Sequence, residues 1–252
     1  MAGSQAEPNI ELRHLTTLPE FKEAVALQQE IWGFADIELL PVRLFVVATK
    51  VGGQVIGAYD GARMIAFLLA IPGLKRGGLT YLHSHMMGVL EGYRDLGIGR
   101  RLKLAQREEA LARGIQLVEW TFDPLELKNA FFNIERLGAT VRRYVLNQYG
   151  ATTSHLHGGL PTDRCVAEWY LGSDWARRII DRQPFARPPA ERRIAVPNDI
   201  AEIRGADPRR AREIQKGVSD SFLDAFDHGL AVVGFERSDT HGTYLLGPWP
   251  SQ

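Results

Sequence analysis

This 252-residue sequence has only one cysteine, no long apolar run and no excess of one charge. Its single cysteine, Cys165, excludes an internal disulfide and any zinc site built from several cysteines. No apolar run approaches the roughly 20 residues that a membrane-spanning helix needs, and the N-terminal residues lack the basic start and apolar stretch of a signal peptide. We therefore expect a cytoplasmic protein without a membrane partner.

The charges of the chain are balanced, with 30 basic and 30 acidic residues and a formal net charge of zero. Proteins that bind duplex nucleic acid usually present a concentrated basic face, so we expect no nucleic-acid partner. Hydrophobic residues make up 45% of the chain, which is typical of a globular protein with an ordinary core.

Local patterns predict an alternation of strands and helices. Ile10–Leu15 alternates apolar and polar residues like a half-buried strand, and Thr17 with Glu20 predicts a capping box at a helix start. Asp60-Gly61 predicts a tight hairpin turn between two strands. The segment "PVRLFVVAT" fits a short helix or a strand equally well.

Further along, Leu79–Leu90 predicts a strand long enough to carry a bulge, and the helix after it ends near Gly114. Ile115–Phe122 predicts a central strand, "LKNAFFNIERLG" a helix, and "TVRRYVLNQYG" and "RCVAEWYL" a strand pair. This order predicts a three-layer α/β fold, in which helices flank a mixed sheet that is part antiparallel and part parallel.

Composition predicts the division of the chain. We expect a flexible tail over 1–8, one main domain over 9–171 and a small α+β extension over 172–252, because a proline- and arginine-rich stretch follows residue 171. The extension predicts a β-α-β-β order that echoes the first third of the chain. It is either a half-repeat or an appendage that covers one edge of the main sheet.

The stretch "RDLGIG", Arg94–Gly99, lies between a long strand and an amphipathic helix. It is either an ordinary strand-to-helix turn or a cradle for pyrophosphate, since glycines let backbone N–H groups converge at a helix start. No Lys-Ser/Thr pair follows Gly99, which excludes a nucleoside-triphosphatase loop. Leu102 stands where a dinucleotide-binding loop has its third glycine.

These residues resemble the GNAT superfamily of acetyl-CoA-dependent N-acetyltransferases. The family signature [Arg/Gln]-x-x-Gly-x-[Gly/Ala] is filled by Arg94, Gly97 and Gly99, at the family's place between its fourth strand and third helix. A second signature is met in part by "LKNAFFNIERLGA", where Ile134 replaces the family's frequent tyrosine. The resemblance covers roughly 9–171, and "WTFDPL", "NQYG" and "LPTDR" resemble a bacterial branch with a C-terminal extension.

The resemblance implies acetyl-CoA as the acyl donor, with no metal. Its pantetheine arm would lie between the strands that hold "HSHMMGV" and "VEWTF", hydrogen-bonded to backbone groups like an added strand. The loop before the helix would hold the pyrophosphate. The implied cofactor-binding residues are Met87, Gly88, Val89, Arg94, Leu96, Gly97, Ile98, Gly99, Arg100, Asn129 and Phe132.

Candidate catalytic residues are His83, His85 and Glu119. The histidines share a strand face and titrate near neutral pH, so either is a candidate base; the alternative is that they are polar caps of the sheet. Glu119 lies mid-strand in an apolar run, so it is either ion-paired or has a catalytic task. His155 and His157 lie in a loop, and the spacing supplies no third metal ligand.

The general acid is unassigned because Ile134 stands in the tyrosine position, and Tyr144 and Tyr149 are alternatives for it. Cys165 is expected to be a packed strand residue and not a nucleophile. The main hypothesis is an N-acetyltransferase for a small amine or amino-acid-like acceptor. The alternatives are an acyl-CoA sensor and a protein acetyltransferase, and an exposed edge strand makes a homodimer reasonable.

Overall fold

The computed structural model describes residues 9–150 and 159–249, and the chain divides into two compact units between Ala112 and Arg113. The tail predicted over 1–8 lies outside the described residues. Every helix that the structure describes is too short or too polar to cross a membrane.

The first unit is an antiparallel sheet that carries helices. Its described elements are β1 (Ile10–His14), α1 (Leu18–Trp32), α2 (Val42–Lys50), β2 (Gln54–Asp60), β3 (Arg63–Leu74), β4 (Thr80–Val89) and α3 (Ile98–Ala112). The strands follow the order β1-β2-β3-β4, and each neighbouring pair is antiparallel.

Local chemistry accounts for the boundaries of these elements. Thr17 Oγ1 accepts a hydrogen bond from the Glu20 N–H, and the Glu20 carboxylate accepts one from the Thr17 N–H, which confirms the capping box. Gly61 has φ +57° in the β2–β3 turn, as the predicted hairpin requires. The ambiguous segment is the helix α2, which buries Phe45 and Ala48 completely.

Helices lie on both faces of β4. A Cβ at Gly88 would come within 2.6 Å of the Trp32 ring of α1, so that face is closed by α1. The next side chain along the strand, Met87, reaches the start of α3 at Gly99. Since successive side chains of a strand point to opposite faces, α1 and α3 lie on opposite sides of β4.

The second unit is also built on antiparallel strands. Its described elements are β5 (Leu117–Phe122), α4 (Leu127–Phe131), β6 (Thr140–Val145), β7 (Arg164–Tyr170), α5 (Asp174–Ile180), β8 (Arg192–Pro197), α6 (Ile200–Ala206), α7 (Pro208–Asp227), β9 (Leu230–Arg237) and β10 (His241–Pro248). The strand order is β5-β7-β6-β9-β10-β8. The predicted pairing of β6 with β7 is confirmed.

Two predicted elements of this unit differ in detail. The strand expected over "TVRRYVLNQYG" ends at Val145, because Asn147 has φ +44° and turns the chain. The helix expected over "LKNAFFNIERLG" is α-helical only to Phe131 and continues as a π-helical turn over Phe132–Arg136.

Residues beyond 171 pack closely against the preceding part of the second unit. Tyr244 Oη donates to the carbonyl of Pro124 at 2.6 Å, and β9 pairs with β6 through Val232 and Val141. The extension contains three helices, α5, α6 and α7, where the predicted β-α-β-β order has one. From β8 onward its order is strand, two helices and hairpin, as in the first unit. The strand pairing differs, since β1 pairs with the first hairpin strand and β8 with the second. The division at residue 171 and the half-repeat stay predictions.

Candidate active site

The predicted bulge in β4 lies at one of the candidate catalytic residues. Leu69 of β3 pairs with Met86 and Ala70 pairs with Ser84, so His85 is the extra residue of β4. The rings of His83 and His85 remain close, with centroids 5.7 Å apart. The structure therefore brings the two predicted bases together.

His85 is half-buried, and its burial lowers its pKa from the ordinary value of 6.5. The cause is desolvation, which disfavours the charged imidazolium. A neutral imidazole at neutral pH has a nitrogen lone pair that accepts a proton. The geometry thus suits a base, although the catalytic role of either histidine stays a prediction.

A buried polar cluster joins β4 to α3. The Lys103 ammonium donates to Ser84 Oγ at 2.8 Å and to Gln106 Oε1 at 3.1 Å. Gln54 Nε2 donates to the Gln106 carbonyl at 3.1 Å. All four side chains are buried, and burial lowers the pKa of Lys103 well below 10.5. Sequence patterns did not reveal this cluster; the available signal was polar residues three apart on the apolar face of α3.

The loop after β4 is short and exposed. A 3₁₀ turn over Glu91–Tyr93 is followed by Arg94, whose Nε donates to the Val89 carbonyl at 3.2 Å. Asp95 has φ +63° and Gly97 has φ +78°, which turn the chain into α3. The first N–H groups of an α-helix have no acceptor within the helix, so they are available to an anion.

Glycine stands at three positions of the predicted cofactor site, and the structure explains it differently at each. Gly97 needs its positive φ, which other residues adopt at a cost. Gly88 is needed because the Trp32 ring occupies the place of a side chain. Gly99 has neither reason, since its φ is ordinary and an added Cβ would make only a van der Waals contact, 3.5 Å from Met87 Cε.

The other predicted cofactor residues of the first unit differ in exposure. Leu96 is 56% exposed, whereas Ile98 is buried and anchors the first turn of α3 in the core. Half-buried or exposed positions are taken by Met87, Val89, Arg94 and Arg100. In the second unit Asn129 is exposed on α4, and the half-buried Phe132 begins the π-helical turn. The cofactor assignments stay predictions.

Glu119 is buried and ion-paired, which is one of the two alternatives that the sequence left open. Arg143 Nη2 donates to Glu119 Oε1 at 2.7 Å, and Arg143 Nε donates to Glu168 Oε1 at 3.0 Å. Glu119 and Glu168 are direct cross-strand neighbours of β5 and β7. Arg142, the bulge residue of β6, adds a second guanidinium on Glu168 at 2.5 Å.

The two alternative phenols lie in different surroundings. Tyr144 is buried, its hydroxyl is 2.9 Å from Ser219 Oγ, and burial raises its pKa. Tyr149 is 48% exposed, and its hydroxyl is 2.8 Å from Thr121 Oγ1. Exposure leaves Tyr149 better suited to exchange a proton with a ligand.

Cys165 and Asp163 lie in surroundings that indicate structural roles. Cys165 is fully buried, and burial raises the pKa of its thiol well above 9.0, as expected for a packed strand residue. Asp163 Oδ2 accepts from Ser219 Oγ at 2.7 Å, and its Oδ1 accepts from the Asn147 N–H at 2.8 Å. Asp163 therefore joins β7 and α7 and fixes the turn after β6.

Within 9–150 and 159–249, no cluster of three or more histidine, cysteine, aspartate or glutamate side chains could hold a metal ion. His155 and His157 lie outside the described residues.

Solved structures of acetyltransferases resemble this chain. The ribosomal-protein-S18-alanine N-acetyltransferase from Escherichia coli gives a TM-score of 0.50 at 16% identity, over 65% of this chain and 95% of that chain. A GNAT-family acetyltransferase from Streptococcus pneumoniae gives 0.51 at 13% identity, over 65% of this chain and 100% of that chain. Arabidopsis thaliana NAA60 in complex with acetyl-CoA gives 0.51 at 14% identity, over 64% of this chain and 99% of that chain.

These likenesses confirm the predicted fold: the chain has the mixed α/β fold of the GNAT acetyltransferases. No model of a protein family matches the sequence, and no curated protein matches it.

Proposed function

We propose that this protein is an N-acetyltransferase that moves an acetyl group from acetyl-CoA to a small amine or amino-acid-like acceptor. The observation that carries the proposal is the exposed turn before α3, where Asp95 and Gly97 have φ values of +63° and +78° and lead the chain into the helix. The first N–H groups of α3 have no acceptor within the helix, and a helix N-terminus favours an anionic group such as a pyrophosphate.

The fold supports the same donor, since NAA60 of this fold was solved with acetyl-CoA. In the proposal, the loop from Arg94 to Gly99 and the N–H groups that open α3 hold the pyrophosphate. Backbone groups of Met87 and Val89 hold the pantetheine arm.

The proposed reaction is a direct transfer without an acyl-enzyme. The acceptor nitrogen attacks the thioester carbonyl carbon, and His85, directly or through water, takes the proton that the nitrogen loses. The tetrahedral intermediate then breaks its C–S bond, which forms the amide and releases the CoA thiolate. Burial that keeps His85 neutral maintains the form that accepts the proton. His83 is the second candidate base.

A sensor that binds acyl-CoA without turnover is the second candidate. Two observations favour it: Ile134 fills the tyrosine position and is fully buried, and Arg143 engages Glu119. A protein acetyltransferase, with 172–252 as the docking surface for its substrate, is a third. We also propose a cytoplasmic location, which fits a single buried, reduced cysteine, and a homodimer formed through an exposed sheet edge.

Thermal unfolding with and without acetyl-CoA tests the donor. Acetyl-CoA that binds only the native state raises the midpoint, with about 2.7 kcal/mol of added stability at a hundredfold excess over Kd. An unchanged midpoint at saturating acetyl-CoA would contradict acetyl-CoA binding, and the likeness to acetyltransferases would then be one of fold alone. Release of the CoA thiol in the presence of a panel of amines then separates enzyme from sensor, since a sensor gives the midpoint shift without release.

A further inference from the structure

A long-range hydrogen bond holds the turn that precedes the proposed pyrophosphate loop. Tyr93 is the last residue of the 3₁₀ turn after β4, and its hydroxyl donates to Asp60 Oδ2 at 2.7 Å. Asp60 ends β2 and lies 33 positions earlier in the chain. The proposed function as stated so far gives neither side chain a role.

Asp60 is a firm anchor for such a bond. It pairs with Arg63 across the β2–β3 hairpin, and the tight turn between them contains Gly61 with φ +57°. Glycine adopts this conformation without steric cost, so the hairpin closes on its own local geometry. The Asp60 carboxylate is therefore fixed by the sheet, and the Tyr93 hydroxyl that bonds to it is fixed in turn.

The loop after Tyr93 has a backbone that must be held in place. Asp95, two positions on, has φ +63°, which is uncommon for a residue other than glycine, and the stretch from Arg94 to Gly97 is exposed. Such conformations persist where the surrounding structure determines them. The backbone bonds that close the turn are local, from the Tyr93 N–H to the Leu90 carbonyl and from the Arg94 N–H to the Glu91 carbonyl. The Tyr93 phenol adds a tie to a different strand.

From these observations we propose that Tyr93, held by Asp60, is a positioning residue for the acetyl-CoA loop. Its bond fixes the point at which the chain enters Arg94–Gly99, so that the N–H groups that open α3 are in place before a pyrophosphate arrives. Preorganisation of this kind raises affinity, because less conformational freedom is lost on binding. The inference rests on the proposed donor, acetyl-CoA.

Three substitutions separate positioning from an effect of charge. Tyr93→Phe removes the donor and Asp60→Ala removes the acceptor, whereas Asp60→Asn keeps an acceptor oxygen and removes only the charge. Loss of a negative charge by itself favours an anionic ligand. Weaker acetyl-CoA binding by Asp60→Ala therefore reports the lost hydrogen bond and not the lost charge.

Calorimetric titration of the full chain with acetyl-CoA tests the proposal. Tyr93→Phe and Asp60→Ala should each weaken binding about fivefold, as expected for one hydrogen bond. The double variant should bind no more weakly than either single variant, because both changes remove the same bond. Asp60→Asn should bind within about twofold of the unaltered protein. Tyr81→Phe is the matched control, since it removes the hydroxyl of a half-buried tyrosine near the other end of β4, and it should bind like the unaltered protein.

Amide hydrogen exchange without ligand is the second measurement. The N–H groups of Tyr93 and Arg94 are hydrogen-bonded within the turn, and Tyr93→Phe and Asp60→Ala should speed their exchange severalfold. Exchange in the middle of α3 should stay unchanged, which distinguishes a loosened turn from a destabilised protein. Unchanged exchange at Tyr93 and Arg94 would overturn the inference.

The titration distinguishes failure of this inference from failure of the proposed function. Absence of acetyl-CoA binding by the unaltered protein overturns the proposed donor, and the inference falls with it. If the unaltered protein binds acetyl-CoA and Tyr93→Phe and Asp60→Ala bind it equally well, the inference alone is overturned. Binding by Asp60→Asn that is as weak as that by Asp60→Ala would also overturn it, since the retained acceptor would then have no effect.

Discussion

Arg143 of β6 lies within hydrogen-bond distance of Glu119 of β5, with Nη2 and Oε1 2.7 Å apart, and the same guanidinium holds Glu168. The two carboxylates face each other across neighbouring strands and are both buried. Like charges in such positions destabilise a sheet. Arg143, which is half-exposed, offsets this repulsion by holding both carboxylates, and Arg142 adds a second cation at Glu168.

Arg143→Leu should lower the free energy of unfolding by about 2 kcal/mol, because it removes a cation that holds two buried carboxylates, while the half-exposure of the arginine moderates the loss. Arg193→Leu is the control, since its partner Glu236 is exposed and the pair should contribute less than about 1 kcal/mol. Denaturant unfolding measures both. Glu119→Gln added to Arg143→Leu should recover part of the loss, and equal losses for the two arginines would contradict the prediction.

Gly99→Val should separate folding from cofactor binding. The position has ordinary φ and room for a Cβ, so helix propensity predicts a free energy of unfolding that changes by less than about 1 kcal/mol. A pyrophosphate at the loop predicts that acetyl-CoA affinity falls about tenfold, since a branched side chain blocks its approach to the backbone. Gly99→Ala, a residue that the signature admits, is the matched control and should bind acetyl-CoA like the unaltered protein. Unaltered acetyl-CoA affinity in Gly99→Val would contradict a pyrophosphate at this loop.

His85 should produce an acidic limb in the pH profile of acetyl transfer. Because burial lowers its pKa below 6.5, the imidazole stays neutral until the pH falls below that value, and kcat/KM should decline there. His85→Gln should lower kcat about a hundredfold or more and remove that limb. His228→Gln, an exposed histidine of the second unit, is the control and should leave the profile unchanged.

The lowered pKa of His85 also predicts that the stability of the protein depends on pH. As the pH falls through 6.5, the unfolded chain takes up the histidine proton before the folded protein does. The free energy of unfolding should therefore decrease in that window, and less so in His85→Gln. Parallel stability curves for the variant and the unaltered protein would contradict this account.

Lys103 should make stability depend on pH in the alkaline range. Its folded pKa lies well below 10.5, so the unfolded chain holds one more proton between the two values. The free energy of unfolding should rise there by about 1.4 kcal/mol per pH unit. Lys103→Met should abolish the rise at pH values just below 10.5, whereas Lys216→Met, which removes an exposed lysine, should retain it.

Local rules predicted much of the fold because the signals act within a few residues. The capping box of Thr17 and Glu20 and the positive φ of Gly61 were confirmed. Gly114, at the predicted end of α3, also has positive φ, at +76°. The stretch Arg94–Gly99 likewise lies where the spacing placed it, at the start of α3, which begins at Ile98.

Predictions failed or stayed open where distant residues decide the outcome. Periodicity could not assign Val42–Lys50, because a short apolar run fits either element until its packing is known. The expected strand beyond Val145 ends early because Asn147 turns back and its N–H bonds to Asp163. The position of the β4 bulge at His85 depends on its pairing with β3, which periodicity does not contain.

The sequence by itself determined most of the order of elements, several caps and turns, and the glycine loop at the start of α3, because each depends on neighbouring residues and backbone preference. Only the tertiary structure decided that Arg143 holds Glu119, 24 positions away, and that Lys103 is buried against Ser84. Those contacts depend on strand register and on how helices pack on the sheet. They show that Glu119 is ion-paired, which the sequence had left open.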